Sequence, residues 1–161
     1  MRKTQAPTFD LRPVTADLTA ALIDLLTEDA LRQALYAGVR VPPEDAIEQW
    51  TEAVGPRTDR RIAVDTRSGC ILGGAKIDVT LMSWFVAPVC QGKGLGTAMV
   101  SAIIQTVDPE RFAAIEAHIA RENVASRRIA DRVGFVDVGL VARASGLPPL
   151  IVYRQIIDPS R

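Results

Sequence analysis

A chain of 161 residues with an apolar fraction of 48% has the length and the side chains for one domain around one core. Nineteen acidic and nineteen basic residues cancel, which predicts no nucleic-acid partner and no attraction to an anionic membrane. Cys70 and Cys90 stand far apart without a His or Cys partner motif, so neither a disulfide framework nor a metal site is expected; the polar stretch after Met1-Arg2-Lys3 and the lack of any long apolar run predict no leader, no membrane span and a cytoplasmic location.

In chain order, Thr8-Phe9-Asp10-Leu11-Arg12 alternates as a strand would and is closed by Pro13. Thr15 is placed to cap a helix carrying Leu18, Leu22, Leu25 and Leu26 and running to about Thr27. A second helix opens at Pro42-Pro43-Glu44 and sets Ile47, Trp50 and Val54 on one face before Gly55-Pro56. Arg61 to Asp65, the turn Arg67-Ser68-Gly69 and Cys70 to Ile77 form a hairpin, and Leu81 to Ala87 adds a strand ended by Pro88. After a glycine loop, Leu95, Met99, Ala102 or Ile103, and Val107 make a helical stripe that Asp108-Pro109 stops. Phe112 to Ile119 reads as a buried strand. Asn123 then caps a helix bearing Ala125, Ile129 and Val133, which Gly134 ends in the left-handed conformation. Phe135 to Val141 and Leu150 to Ile157 close the chain as a hairpin. Seven strands and four helices without repeats or linkers make an α/β fold, α+β by stricter counting, in one domain spanning 1–161.

The loop Gln91-Gly92-Lys93-Gly94-Leu95-Gly96-Thr97 joins a strand to the start of an apolar helix. Glycines there let successive N–H groups converge, and the helix dipole adds positive potential, so the loop can cradle a pyrophosphate with Lys93 beside it. It can equally be a turn whose glycines only ease packing. Neither a Walker loop nor a dinucleotide fingerprint has this spacing, and the loop follows the fourth strand instead of the first.

From Phe85 to Thr97 the chain resembles the acetyl-CoA signature of the GCN5-related N-acetyltransferase (GNAT) family, with Gln91, Gly94 and Gly96 on its defining positions. Asn123 to Phe135 is similar to the family's second cofactor motif, and the branch it resembles most contains ribosomal-protein N-terminal acetyltransferases. The resemblance covers nearly the entire chain. It implies a mixed, mostly antiparallel central sheet of about seven strands flanked by four helices and splayed between the fourth and fifth strands. Acetyl-CoA would lie in that opening, held by Phe85, Val86, Gln91, Gly92, Lys93, Gly94, Leu95, Gly96, Thr97, Asn123 and Ser126, with its pantetheine paired to the main chain as an added strand would be.

The resemblance also names gaps. Relatives carry a tyrosine where Ala130 stands, and relatives of this branch an acid entering the fourth strand, where Leu81-Met82-Ser83-Trp84 has none. Ser126, one turn beyond Asn123, is the candidate donor to the departing thiolate; otherwise it bonds within its helix. Asn123 is an N-cap, a cofactor ligand, or both. The Val86 N–H is the candidate donor to the thioester carbonyl, against an ordinary ladder bond. Glu116 interrupts an apolar strand and is the candidate base, with His118 on its face as relay; the alternative pairs Glu116 with an arginine. Trp50 and Tyr36 can line an acceptor pocket or fill the core; Tyr153 can face cleft or core; Arg127, Arg128 and Arg132 can meet phosphates or water.

The expected function is transfer of acetyl from acetyl-CoA to a primary amine, a small molecule or a protein N-terminus, by direct attack. A protein α-amine, with a pKa near 7.7 to 8, needs less help than a lysine amine near 10.4. A weak or inactive acyl-CoA-binding module is the alternative. A homodimer through the last strands is compatible with the resemblance.

Overall fold

A computed structural model describes residues 8–160; Met1 to Pro7, with the leader expectation, and Arg161 lie outside the described residues. The elements run β1 (Phe9–Arg12), α1 (Ala16–Thr27), α2 (Asp29–Leu35), α3 (Pro43–Thr51), β2 (Thr58–Asp65), β3 (Ile71–Asp78), β4 (Leu81–Val86), α4 (Leu95–Thr106), β5 (Ala114–Ala120), α5 (Val124–Val133), β6 (Val136–Val141) and β7 (Leu150–Ile156). They form one seven-stranded sheet in the order β1-β2-β3-β4-β5-β7-β6. Every neighbouring pair is antiparallel except β4 with β5.

Period-two alternation in the strands builds two cores, one on each face of the sheet. Ile62, Val64, Ile71 and Phe85 meet Leu18, Leu22 and Leu26 of α1, Leu31 of α2 and Trp50 of α3 on the first face. Ala63, Ala75, Ile77, Met82 and Ile115 meet Leu95, Met99, Val100 and Ile103 of α4 and Ala130 of α5 on the second. Trp50 is fully buried, with its ring edge-on to Phe85 at 5.0 Å, so it belongs to the core.

Five α-helices are present where the sequence pattern gave four. The added one, α2, follows α1 after a single residue, Glu28. The buried guanidinium of Arg32 fixes the corner: it donates to the carbonyls of Leu26 (2.8 Å), Thr27 (2.5 Å) and Val41 (3.2 Å), and pairs with Asp29. It thereby satisfies carbonyls that the end of α1 leaves without helical partners. The helix expected through Val54 ends at Thr51, and Val54 is exposed. Arg60, buried, explains the early stop, because it binds both the carbonyl and the carboxylate of Glu52 and draws the chain straight into β2.

Candidate active site

The opening in the sheet follows from the one parallel pair. Strands β4 and β5 share a single register position, Leu81↔Glu116, where the Glu116 N–H donates to the Thr80 carbonyl at 2.8 Å. Beyond it they part. On the other side of β4, the Ala87 N–H donates to the Leu72 carbonyl at 2.9 Å. By the alternation of an antiparallel ladder, Phe85 also directs its main chain at β3, whereas Val86 turns its N–H away from β3 into the opening.

The loop after β4 is built to approach a ligand with its backbone. Gln91 ties it down, its Nε2 donating to the Val86 carbonyl at 3.2 Å. Gly92 and Gly94 both adopt φ +75°, the left-handed region that other residues enter at a cost of roughly 1–2 kcal/mol. A Cβ added to either would have no protein atom within 4 Å, so the space over the loop is open. Gly94 is also the N-cap of α4, whose first N–H groups face outwards unpaired by the helix. Gly96 has a different reason: a Cβ there would lie 2.6 Å from Ile129 Cδ1 and 3.1 Å from Val86 Cγ2, so its lack of a side chain serves the contact of α4 with α5 and β4.

A cleft of about 570 Å³ runs over this loop, walled by Phe85, Val86, Gln91, Gly92, Gly94, Leu95, Gly96 and Thr97 on one side and by Asn123, Ser126, Arg128 and Arg132 on the other. Lys93 is absent from the wall; its Nζ donates to the Val89 carbonyl at 2.9 Å and braces the loop. Of the three arginines of α5, Arg128 and Arg132 reach the cleft, while Arg127 bonds to the Arg121 carbonyl and to the Tyr153 hydroxyl. Tyr153 is therefore a core residue and lines neither cavity.

A second, smaller chamber of about 220 Å³ opens between β4, β5 and the end of α2, with Tyr36, Leu81, Ser83, His118 and Leu150 in its wall. Five residues belong to both spaces: Ala34, Leu35, Trp84, Asn123 and Ser126. The Asn123 side chain accepts from the Ser126 N–H at 3.1 Å, the N-cap of α5. The Ser126 hydroxyl makes no hydrogen bond among the described residues. Ala130, where the family tyrosine would stand, is fully buried in the core.

Glu116 lines neither cavity. Its Oε1 accepts from Arg154 Nε at 2.8 Å and its Oε2 lies 3.3 Å from His118 Nε2, and first the Arg154 guanidinium, then the His118 ring, hold its carboxyl below the ordinary range. The pair expected on one face of β5 is thus present, but only His118 reaches the chamber. Sequence reasoning missed α2 and Trp84. The Trp84 indole nitrogen is buried without a hydrogen-bond partner among the described residues, at the junction of the two spaces. An aromatic two residues before the strand's end was the available signal.

The family model for the acetyltransferase (GNAT) domain matches residues 9–136. Among solved structures, the ribosomal-protein-S5-alanine acetyltransferase from Vibrio fischeri is similar at TM-score 0.77 and 16% identity, covering 93% of each chain. The spermidine N-acetyltransferase from Vibrio cholerae, in complex with CoA and spermine, is similar at 0.75 and 14%, covering 92% of this chain and 95% of its own. An aminoglycoside acetyltransferase in complex with coenzyme A is similar at 0.71 and 23%, with the same coverage. No curated protein sequence matches. With the family model spanning well over half of the chain, on the same elements that shape the cleft, this protein belongs to the GNAT acetyltransferase family and is an acetyl-CoA-dependent N-acetyltransferase.

Proposed function

We propose that the chain acetylates a primary amine, small or at a protein N-terminus, by direct attack within one ternary complex. The observation that carries this is the meeting of a long cleft and a short chamber at Ser126, Asn123 and Trp84, in the mouth of the β4/β5 splay. The cleft is shaped for acetyl-CoA. Gly92, Gly94 and the first turn of α4 offer backbone N–H groups to a pyrophosphate, with Arg128 and Arg132 supplying charge. Val86, whose main chain faces the opening, offers a strand edge to pantetheine amides, whereas the Phe85 main chain is taken up by β3 and, contrary to expectation, does not. Bound there, acetyl-CoA supplies the activated acetyl thioester.

The chain's own groups have three tasks. The Val86 N–H, turned into the splay, donates to the carbonyl oxygen as its negative charge grows. The Ser126 hydroxyl, without a hydrogen bond among the described residues, donates to the sulfur as it departs. His118, steered by Glu116, takes the proton that the amine gives up. Glu116 itself is committed to Arg154 and acts as the group that orients His118. Thiol release from acetyl-CoA over an amine panel tests the reading. Tight CoA binding with no amine-dependent thiol release from any of them would reject it.

A further inference from the structure

Resting on that reading, the chamber's chemistry narrows the acceptor. Among the residues of its wall, Tyr36 and His118 are the only ones that titrate, and no carboxylate is present. The nearest acid on the same face of β5, Glu116, has both oxygens engaged, one by Arg154 and one by His118. Burial pushes the Tyr36 phenol up, against the partial offset of the Trp50 indole, so it stays neutral at pH 7, and its hydroxyl is buried without a hydrogen-bond partner among the described residues. The rest of the wall is mostly apolar, with Leu35, Leu81, Trp84, Ile119 and Leu150 among its side chains, and its other polar groups, on Ser83, Asn123 and Ser126, are neutral.

The wall facing the acceptor is also fixed in place. Arg143, from the β6–β7 connection, donates Nε to the Pro148 carbonyl at 2.7 Å and Nη1 to the Ala37 carbonyl at 2.5 Å. Ala37 lines the chamber at φ +53°, a conformation that a non-glycine residue keeps only when its surroundings enforce it. The volume of about 220 Å³ falls below the range of about 300–1,000 Å³ usual for drug-sized ligands.

We infer that the acceptor is a compact amine with a single positive charge and a small apolar body, and that polycationic amines are excluded because the chamber offers no carboxylate to a second ammonium. A buried ammonium without a counter-charge is strongly disfavoured, whereas one amine can enter neutral by leaving its proton with water, so that His118 stays free for the proton released on attack. The α-amine class fits best, since a useful fraction is neutral near pH 8.

The test uses the wild-type protein with alaninamide, valinamide, an alanine-initiated hexapeptide amide, propylamine, spermidine and kanamycin. Binding to the CoA-loaded protein is measured by calorimetry, and thiol release is measured with acetyl-CoA. The single-charge amines are expected to bind at least tenfold more tightly than spermidine and kanamycin. Alaninamide is expected to exceed both by at least a hundredfold in kcat/KM. Propylamine, which is singly charged but as basic as a lysine, separates charge from basicity and is expected to bind more tightly than spermidine. Preference for alaninamide over the hexapeptide is expected, and the reverse would overturn the compactness of the acceptor. Spermidine or kanamycin matching the single-charge set in either measurement would overturn the inference, as would a lack of binding by every amine. Binding by the small amines without thiol release would uphold the acceptor class and reject the catalytic roles instead.

Discussion

Ser126→Ala separates chemistry from architecture more cleanly than any other substitution at the site. The Ser126 hydroxyl has no intramolecular partner among the described residues, and its main-chain N–H keeps its bond to Asn123 whatever the side chain is. Stability should therefore hold or rise by about 0.5 kcal/mol, the helix-propensity difference between serine and alanine. Acetyl-CoA affinity should fall less than threefold, because the hydroxyl meets a neutral thioester before reaction and a charged sulfur only during it. Turnover should fall by about a hundredfold, roughly 3 kcal/mol at 1.36 kcal/mol per decade. Such a pattern, kcat lost with binding kept, marks an interaction made mainly in the transition state. The assay is thiol release under saturating acetyl-CoA and alaninamide, beside calorimetry and a melting curve. Turnover within a factor of two of the parent would refute the reasoning and leave the sulfur to be protonated by water, since the buried Tyr153 lines neither space.

Gly94→Val forces a β-branched residue to φ +75° over the open loop and should weaken CoA binding at least tenfold by calorimetry, while lowering stability by only about 1–2 kcal/mol. Gly73→Ala is the structural contrast: its Cβ would meet the Phe85 carbonyl oxygen at 2.5 Å and Met99 Sδ at 2.9 Å, so about 3 kcal/mol and roughly 6–12 °C of melting temperature should be lost. Arg154→Ala tests the pH linkage of Glu116. The folded pKa is depressed below 4.5, so the stabilisation is present above that value and disappears as pH falls through the folded pKa; the melting-temperature gap to the parent, worth at most about 1 kcal/mol at pH 7, should close below pH 4.5. Leu81→Glu puts a carboxylate at a partly exposed chamber position and should raise spermidine kcat/KM at least tenfold, read by thiol release.

Most strands and the helices α1, α4 and α5 were legible because one side of each is apolar at the right period. The Asn123 cap and the Gly134 terminus of α5 were legible for a related reason: each residue type solves a local backbone problem. What escaped the pattern was governed by buried arginines. The strand expected from Arg61 begins three residues earlier, at Thr58, with Arg60 buried against Glu52. Helix α2 was hidden in the same way, its corner with α1 held by the buried Arg32. A hydrophobicity pattern scores such residues as exposed, whereas a buried guanidinium with carbonyl and carboxylate partners is part of the core. The cofactor side of the site lies on legible elements. The acceptor side depends on α2 and on Arg143, whose contact with Ala37 spans 106 positions of sequence and leaves no local signal.

The two departures from the family pattern have one structural explanation. Position 130 belongs to the buried face of α5, packed with α4, Phe135 and the rest of that core, so alanine there suits the close approach of the helices. Gly96 shows how close it is, for a single added carbon would already press on Ile129 of α5. A tyrosine in that layer would have to displace α5 or leave the core to reach the sulfur. Ser126 stands one turn nearer the N-terminus and lines both cavities, so on the proposed reading a short hydroxyl there takes the place of the tyrosine. The missing acid of the fourth strand follows similar logic. Ser83 occupies the chamber wall of β4, and across the splay His118 lines the same space with its Nε2 held against Glu116. On the proposed reading, proton transfer would move from β4 to β5 and from carboxylate to imidazole. An acceptor that is itself half neutral near pH 8 asks less of such a base than a lysine-like amine does.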